Sequence, residues 1–159
     1  MMEHPSDNQT TLQERELTIT RVFNAPRSLV FKVWTQPEHF ARWLGPTDFM
    51  TVACQMNVQI GGIYRACIRS PEGKDHWMQG SYREVTEPER LVFTFAWEDE
   101  DSRPKHETLV TVTFTEQGNK TLMTFHQAIF ESTESRNSHR TGWSECFDRL
   151  QAYLTTVTV

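Results

Sequence analysis

The sequence predicts an α+β fold: a curved, seven-stranded antiparallel sheet wrapped around a long C-terminal helix, with two short helices after the first strand. Three observations predict it. Residues 15–23 alternate polar and apolar side chains, the period of a half-buried strand. Six further strand-like segments follow between residues 49 and 130, joined only by short turns. Near the end, Trp143, Cys146, Phe147, Leu150 and Leu154 fall at i, i+3, i+4, i+7 and i+11, one apolar helix face. An antiparallel sheet with one apolar face needs a cover, and only this last helix is long enough to supply it. A twisted sheet curling around one helix seldom closes fully, so a cavity is expected between them.

Taken in order, RELTITRVF at 15–23 is the first strand, and Pro26 then pre-sets the backbone for a helical turn. Leu29, Val30, Val33 and Trp34 recur at helical spacing behind it. Thr35 and Glu38 in TQPE match a capping box that closes one short helix and opens a second. Phe40, Trp43 and Leu44 form the second helix's apolar stripe, and Gly45–Pro46 stops it. FMTVACQMNV and IYRACIR flank Gly61–Gly62, a hairpin or sharp bend. HWMQGSYREV, RLVFTFAW, ETLVTVTF and TLMTFHQAIF complete the meander, and the first strand pairs at an edge. Gly142 lies inside the last helix, where it costs about 1 kcal/mol against alanine. Close approach to a strand or a kink is the expected compensation.

Composition narrows the function classes. Sixteen basic and twenty-one acidic side chains leave a net charge of −5, with no basic stripe of the kind nucleic acid requires. No apolar run reaches the roughly 18 residues of a membrane span. The polar residues 1–14 are expected to be a disordered lead-in to one domain at 15–157. They hold no apolar signal core, so a cytoplasmic location is expected. The acidic run WEDED at 97–101 reads as a solvated hairpin loop. Three widely spaced cysteines, Cys54, Cys67 and Cys146, fit buried free thiols better than disulfides or a zinc site. The six histidines lack metal-ligand spacing: His39 lies on a polar helix face, His76, His106 and His139 lie near turns, and His126 points away from Phe125 and Gln127. No metal or cofactor is expected, and no serine or cysteine sits in a nucleophile motif.

APRSLVFKVWTQPEHFARWLGP near the start, IGGIYR in the middle and HRTGWSECFDRLQAYL at the end together resemble the SRPBCC (START/Bet v-like) superfamily. Within it they are most similar to the activator of heat-shock-protein-90 ATPase homologue C-terminal-domain-like group, over about residues 15–155. The resemblance implies a helix-grip fold with a deep apolar pocket. The activities it implies diverge: lipid and hormone carriage, polyketide cyclisation, self-sacrifice resistance and co-chaperone binding. Where many relatives carry an acidic residue and an arginine before the Gly-Gly pair, this chain has Asn57 and Gln59. A salt-bridged role for that turn does not carry over.

Alternation nominates the cavity wall. Tyr64, Met78, Tyr82, Phe93, Phe95, Val112, Phe125 and Gln127 are expected on the concave face, with Trp143 and Phe147 as a lid and Trp34 and Trp43 near the mouth. Tyr64, Tyr82 and Gln127 are the polar contacts expected to orient a ligand. The leading expectation is binding of an apolar small molecule, such as a lipid or aromatic metabolite. A co-chaperone-like protein-interaction module is the second. An enzyme acting on a hydrophobic substrate in the same cavity, through Tyr82 or Gln127, is the third.

Overall fold

The computed structural model describes residues 13–157. The lead-in expected at 1–14 therefore lies largely outside the described residues; Gln13 and Glu14 are helical. In chain order the elements are β1 (Leu17–Phe23), α1 (Arg27–Thr35), α2 (Pro37–Trp43), β2 (Met50–Met56), β3 (Ile63–Arg69), β4 (Asp75–Thr86), β5 (Arg90–Trp97), β6 (Thr108–Gln117), β7 (Lys120–Ala128) and α3 (Thr133–Leu154). The seven strands form one sheet in the order β1-β7-β6-β5-β4-β3-β2, with every neighbouring pair antiparallel. The meander and the edge position of β1 are as the alternation predicts.

Alternation also holds for the faces. Thr108, Val110, Val112 and Phe114 of β6 are buried, as are Thr121, Met123, Phe125 and Gln127 of β7. Against them pack Trp143, Cys146, Phe147, Leu150 and Leu154 of α3, the predicted stripe. Strand β4 approaches its neighbour β5 unusually closely at one point. Gly80 lies so close to β5 that a Cβ there would collide with the Thr94 carbonyl. The Tyr64 ring packs over the glycine, and its hydroxyl donates to that carbonyl at 2.8 Å. A register shift between Tyr82 and Glu84 adds a bulge one turn of the pleat further on.

The two short helices differ from expectation at their junction. No capping box forms. The Thr35 hydroxyl donates back to the Phe31 carbonyl at 2.9 Å, and Gln36 caps α2 with no side-chain hydrogen bond. Pro37 at the first helical position supplies the start instead, since its missing N–H needs no cap. Trp34 and Trp43, expected near a mouth, are interior. Trp34 is 2% exposed, and seven aromatic rings surround it with centroids 4.8–6.4 Å away. Trp43 donates its indole N–H to the Val33 carbonyl at 3.1 Å. A helix face at period 3.6 shows which residues turn inward, not how deep the partner helix drives them.

Gly142 approaches no strand and α3 runs on through it. The nearest atom to a Cβ there would be Pro46 Cγ, at an ordinary contact distance of 3.8 Å.

Candidate functional site

The centre of the grip is solid. Trp43, Val112, Phe125, Gln127 and Phe147 are fully buried in the core and do not border the cavity described below. Trp34, Tyr64, Tyr82 and Phe93 surround a void of only about 10 Å³, no more than a single water's space. The Trp34 indole N–H is buried in this region without a partner among the described residues. Tyr64 spends its hydroxyl on Thr94, and burial raises the ionisation of both tyrosines well above the ordinary range. Gln127, predicted to face inward, does so, but its amide is consumed: the nitrogen donates to Thr108 Oγ1 at 2.8 Å and the oxygen accepts from Trp143 Nε1 at 2.9 Å.

The usable hollow lies at one end. A cavity of about 300 Å³ opens between α3, the loop from Leu44 to Phe49 and the neighbouring ends of β3, β4 and β5. Of the predicted site residues, Met78, Phe95 and Trp143 line it. Ile68, Phe49, Trp97 and His139 complete its inner wall, with His76 and Ser138 beside them.

Sequence reasoning places His139 near a turn and so misses it as a wall residue, whereas Trp97 and Ile68 lie on the strand faces that alternation turns toward the cavity. His139 is instead on the inward side of α3. Trp97 Nε1 donates to His139 Nε2 at 2.9 Å, and His139 Nδ1 lies 2.9 Å from the Ser135 carbonyl. An indole can only donate and a carbonyl only accept, so the imidazole is neutral with its proton on Nδ1. Burial, opposed by the Ser135 hydrogen bond, holds its pKa below the ordinary histidine value. Glu98, next along the WEDED run, is likewise not solvated. Its side chain is 2% exposed, takes two hydrogen bonds from Arg65 at 2.6 and 2.8 Å, and accepts a third from Gln79 at 2.8 Å. Those bonds from Arg65, the largest cause, pull its carboxyl below the usual range. Only Asp99 to Asp101 remain as the exposed acidic tip.

The loop at the mouth is stapled to α3 by Glu145 and Arg149, which helical periodicity assigns to a solvent face, and by Cys146 of the apolar stripe. Arg149 Nη1 donates to the Leu44, Gly45 and Pro46 carbonyls at 3.2, 2.8 and 3.1 Å. The Glu145 carboxylate accepts from the Thr47 N–H at 2.9 Å, and the Cys146 sulfur accepts from the Gly45 N–H at 3.2 Å. A run of E-C-x-x-R in register with Gly-Pro would have been the signal, legible only once the two segments are known to touch. Burial pushes the Cys146 thiol up to about 12, so it sits there as a neutral, unreactive wall group.

All three cysteines are free thiols; Cys67 and Cys146 are buried, while Cys54 is half-buried. Among the described residues no group of three His, Cys, Asp or Glu side chains is placed to hold a metal ion. Among the described residues no helix is long and apolar enough to cross a membrane.

The fold recurs widely. A protein from Arthrobacter aurescens superposes with a TM-score of 0.82 at 22% identity, over 92% of this chain and 90% of that one. One from Chromobacterium violaceum gives 0.80 at 22% identity, over 87% and 95%. The AHSA1 protein of Silicibacter pomeroyi gives 0.79 at 22% identity, over 89% and 98%. At such identities these likenesses speak to the fold alone. Among curated proteins nothing matches the sequence. The profile of the activator of Hsp90 ATPase homolog 1-like proteins matches residues 24–155, from the helix pair through the end of α3, and the chain belongs to that family.

Proposed function

We propose that this protein binds an apolar small molecule in the cavity beside α3. One observation carries the reading: a surface-open hollow of about 300 Å³, walled by aromatic and aliphatic side chains, in a chain whose remaining core is tightly filled. That volume stands at the lower end of small-molecule sites, roughly 300–1,000 Å³. Burial of apolar surface at about 25 cal/mol per Å² supplies the driving force. Of the residues nominated from sequence, Met78, Phe95 and Trp143 are the ones assigned to ligand contact. The others hold the floor on which those three stand.

The test is binding of hydrophobic compounds followed by thermal unfolding and by tryptophan emission, since Trp97 and Trp143 both face the hollow. Saturating ligand should raise the unfolding temperature and quench emission. A diverse apolar panel that moves neither quantity would overturn the reading.

A second reading has its own support in the family match, since that family is described by activation of the Hsp90 ATPase. The exposed acidic tip at Asp99–Asp101 is the docking feature it would use. A chaperone ATPase rate left unchanged by this protein at saturating concentration argues against it.

A further inference from the structure

We infer that the ligand is a neutral, flat molecule of about two fused rings, with one hydrogen-bonding group at its outer end facing His76. This rests on the cavity beside α3 being the binding site.

Charge is the first constraint. Among the described residues no Asp, Glu, Lys or Arg lines the cavity. An ionised group placed there would leave water and meet no counter-charge, which is strongly unfavourable. The wall's own hydrogen-bonding groups give no relief. The Trp97 N–H is taken by His139, the Trp143 N–H by Gln127, and both His139 nitrogens are in use. The Cys146 sulfur already accepts from Gly45. The inner wall therefore offers ring faces, ring edges and alkyl groups, and to a buried polar atom no more than the weakly donating Cys146 S–H.

Position is the second constraint. His76 and Ser138 are the lining residues whose polar side chains find no partner among the described residues. Ser138 is exposed and His76 half-buried. The His76 ring also borders the polar depression between the β3–β4 turn and the β5–β6 loop, so it stands at the rim. A ligand's single polar group is therefore directed outward.

Size and shape are the third. The volume is about twice that of the ~150 Å³ apolar cavity that accepts benzene, which suits two rings. Wall rings already meet edge to face, Phe95 with Trp97 at 5.2 Å and 89° and His76 with Trp97 at 6.2 Å and 72°. A flat aromatic guest extends that pattern, whereas an alkyl chain gains only area.

Five probes separate these claims at neutral pH in the intact chain, with affinity read by calorimetry: 2-naphthol, naphthalene, 2-naphthoate, 2-naphthylmethylammonium and 1-decanol. 2-Naphthol should bind tightest. The two charged probes should be at least about tenfold weaker, and naphthalene and decanol about fivefold weaker. His76→Phe keeps a ring at the rim but removes its nitrogens. It should bring 2-naphthol down to the naphthalene level while naphthalene itself is unaffected, which also reports that the variant is folded. Equal or tighter binding of either charged probe, or of decanol, overturns the assignment, as does a naphthol advantage that survives His76→Phe. Failure of all five probes overturns the binding reading itself.

Discussion

Gly142 stands in the middle of α3, where nothing in the backbone requires a glycine and the nearest atom to an added Cβ would be Pro46 Cγ at 3.8 Å. The residue borders the cavity, so what alanine would remove there is space. Gly142→Ala should raise stability by about 0.5–1 kcal/mol in a denaturant titration. The same methyl should weaken 2-naphthol binding; a variant that gains stability and keeps its affinity would detach this glycine from the site. His139 yields a second expectation at this scale. Its native pKa is depressed, so the unfolded chain binds more protons between the native value and the ordinary one of about 6.5. The stabilisation is fully present above that ordinary value and is lost as pH falls through the native one. Wild type should therefore lose more thermal stability on acidification than His139→Gln, which keeps an acceptor for Trp97 but does not titrate. Identical pH profiles for the two would remove His139 from the account. Neither residue was legible beforehand, because a lone glycine or histidine in a helix carries no record of what lies opposite it.

At the level of elements, the strands were readable because a period of two survives curvature and bulges. Met123, Phe125 and Gln127 face inward together despite apolar residues on both sides of that segment. Helix ends were less readable: Thr35 and Glu38 satisfy the capping pattern, yet Pro37 sets the start of α2 without them. The strap from α3 to the mouth loop was invisible, since Glu145 and Arg149 look like an ordinary solvated face until Gly45 and Pro46 lie beneath them. Arg149→Met should release three carbonyls at once, cost about 1–3 kcal/mol, and speed ligand dissociation in stopped-flow quenching. Unchanged dissociation with reduced stability would leave the strap purely structural. In β4, Gly80→Ala should cost about 2–3 kcal/mol, because its Cβ meets the Thr94 backbone and the Tyr64 ring rather than a yielding side-chain tip. Urea denaturation measures it directly.

For the molecule as a whole, sequence periodicity conveyed the architecture and misplaced the hollow. Alternation reports which side chains face the helix; it does not report whether facing side chains touch. Trp34, from a short helix outside the sheet, fills the space that a twisted sheet would otherwise leave open. Its N–H, without a partner among the described residues, carries a penalty of about 1–3 kcal/mol set against the burial of the ring among seven others. What remains is a cavity at the end where the α2–β2 loop replaces helix as cover. Binding there at a hundred times the dissociation constant should add about 2.7 kcal/mol of apparent stability, measurable as a concentration-dependent shift in unfolding temperature.

The division between a filled centre and a hollow end has one more consequence, for how a guest comes and goes. Strands β1, β6 and β7 pack on α3 through residues such as Phe125 and Gln127, but they contribute no side chain to the wall of the hollow. Exchange then needs only local breathing around Gly45 and the first turns of α3, far short of global opening. In deuterium labelling, a bound guest should slow the amides of that loop and of residues near Ser138 and Gly142, while those of β7 keep the same slow clock with or without it.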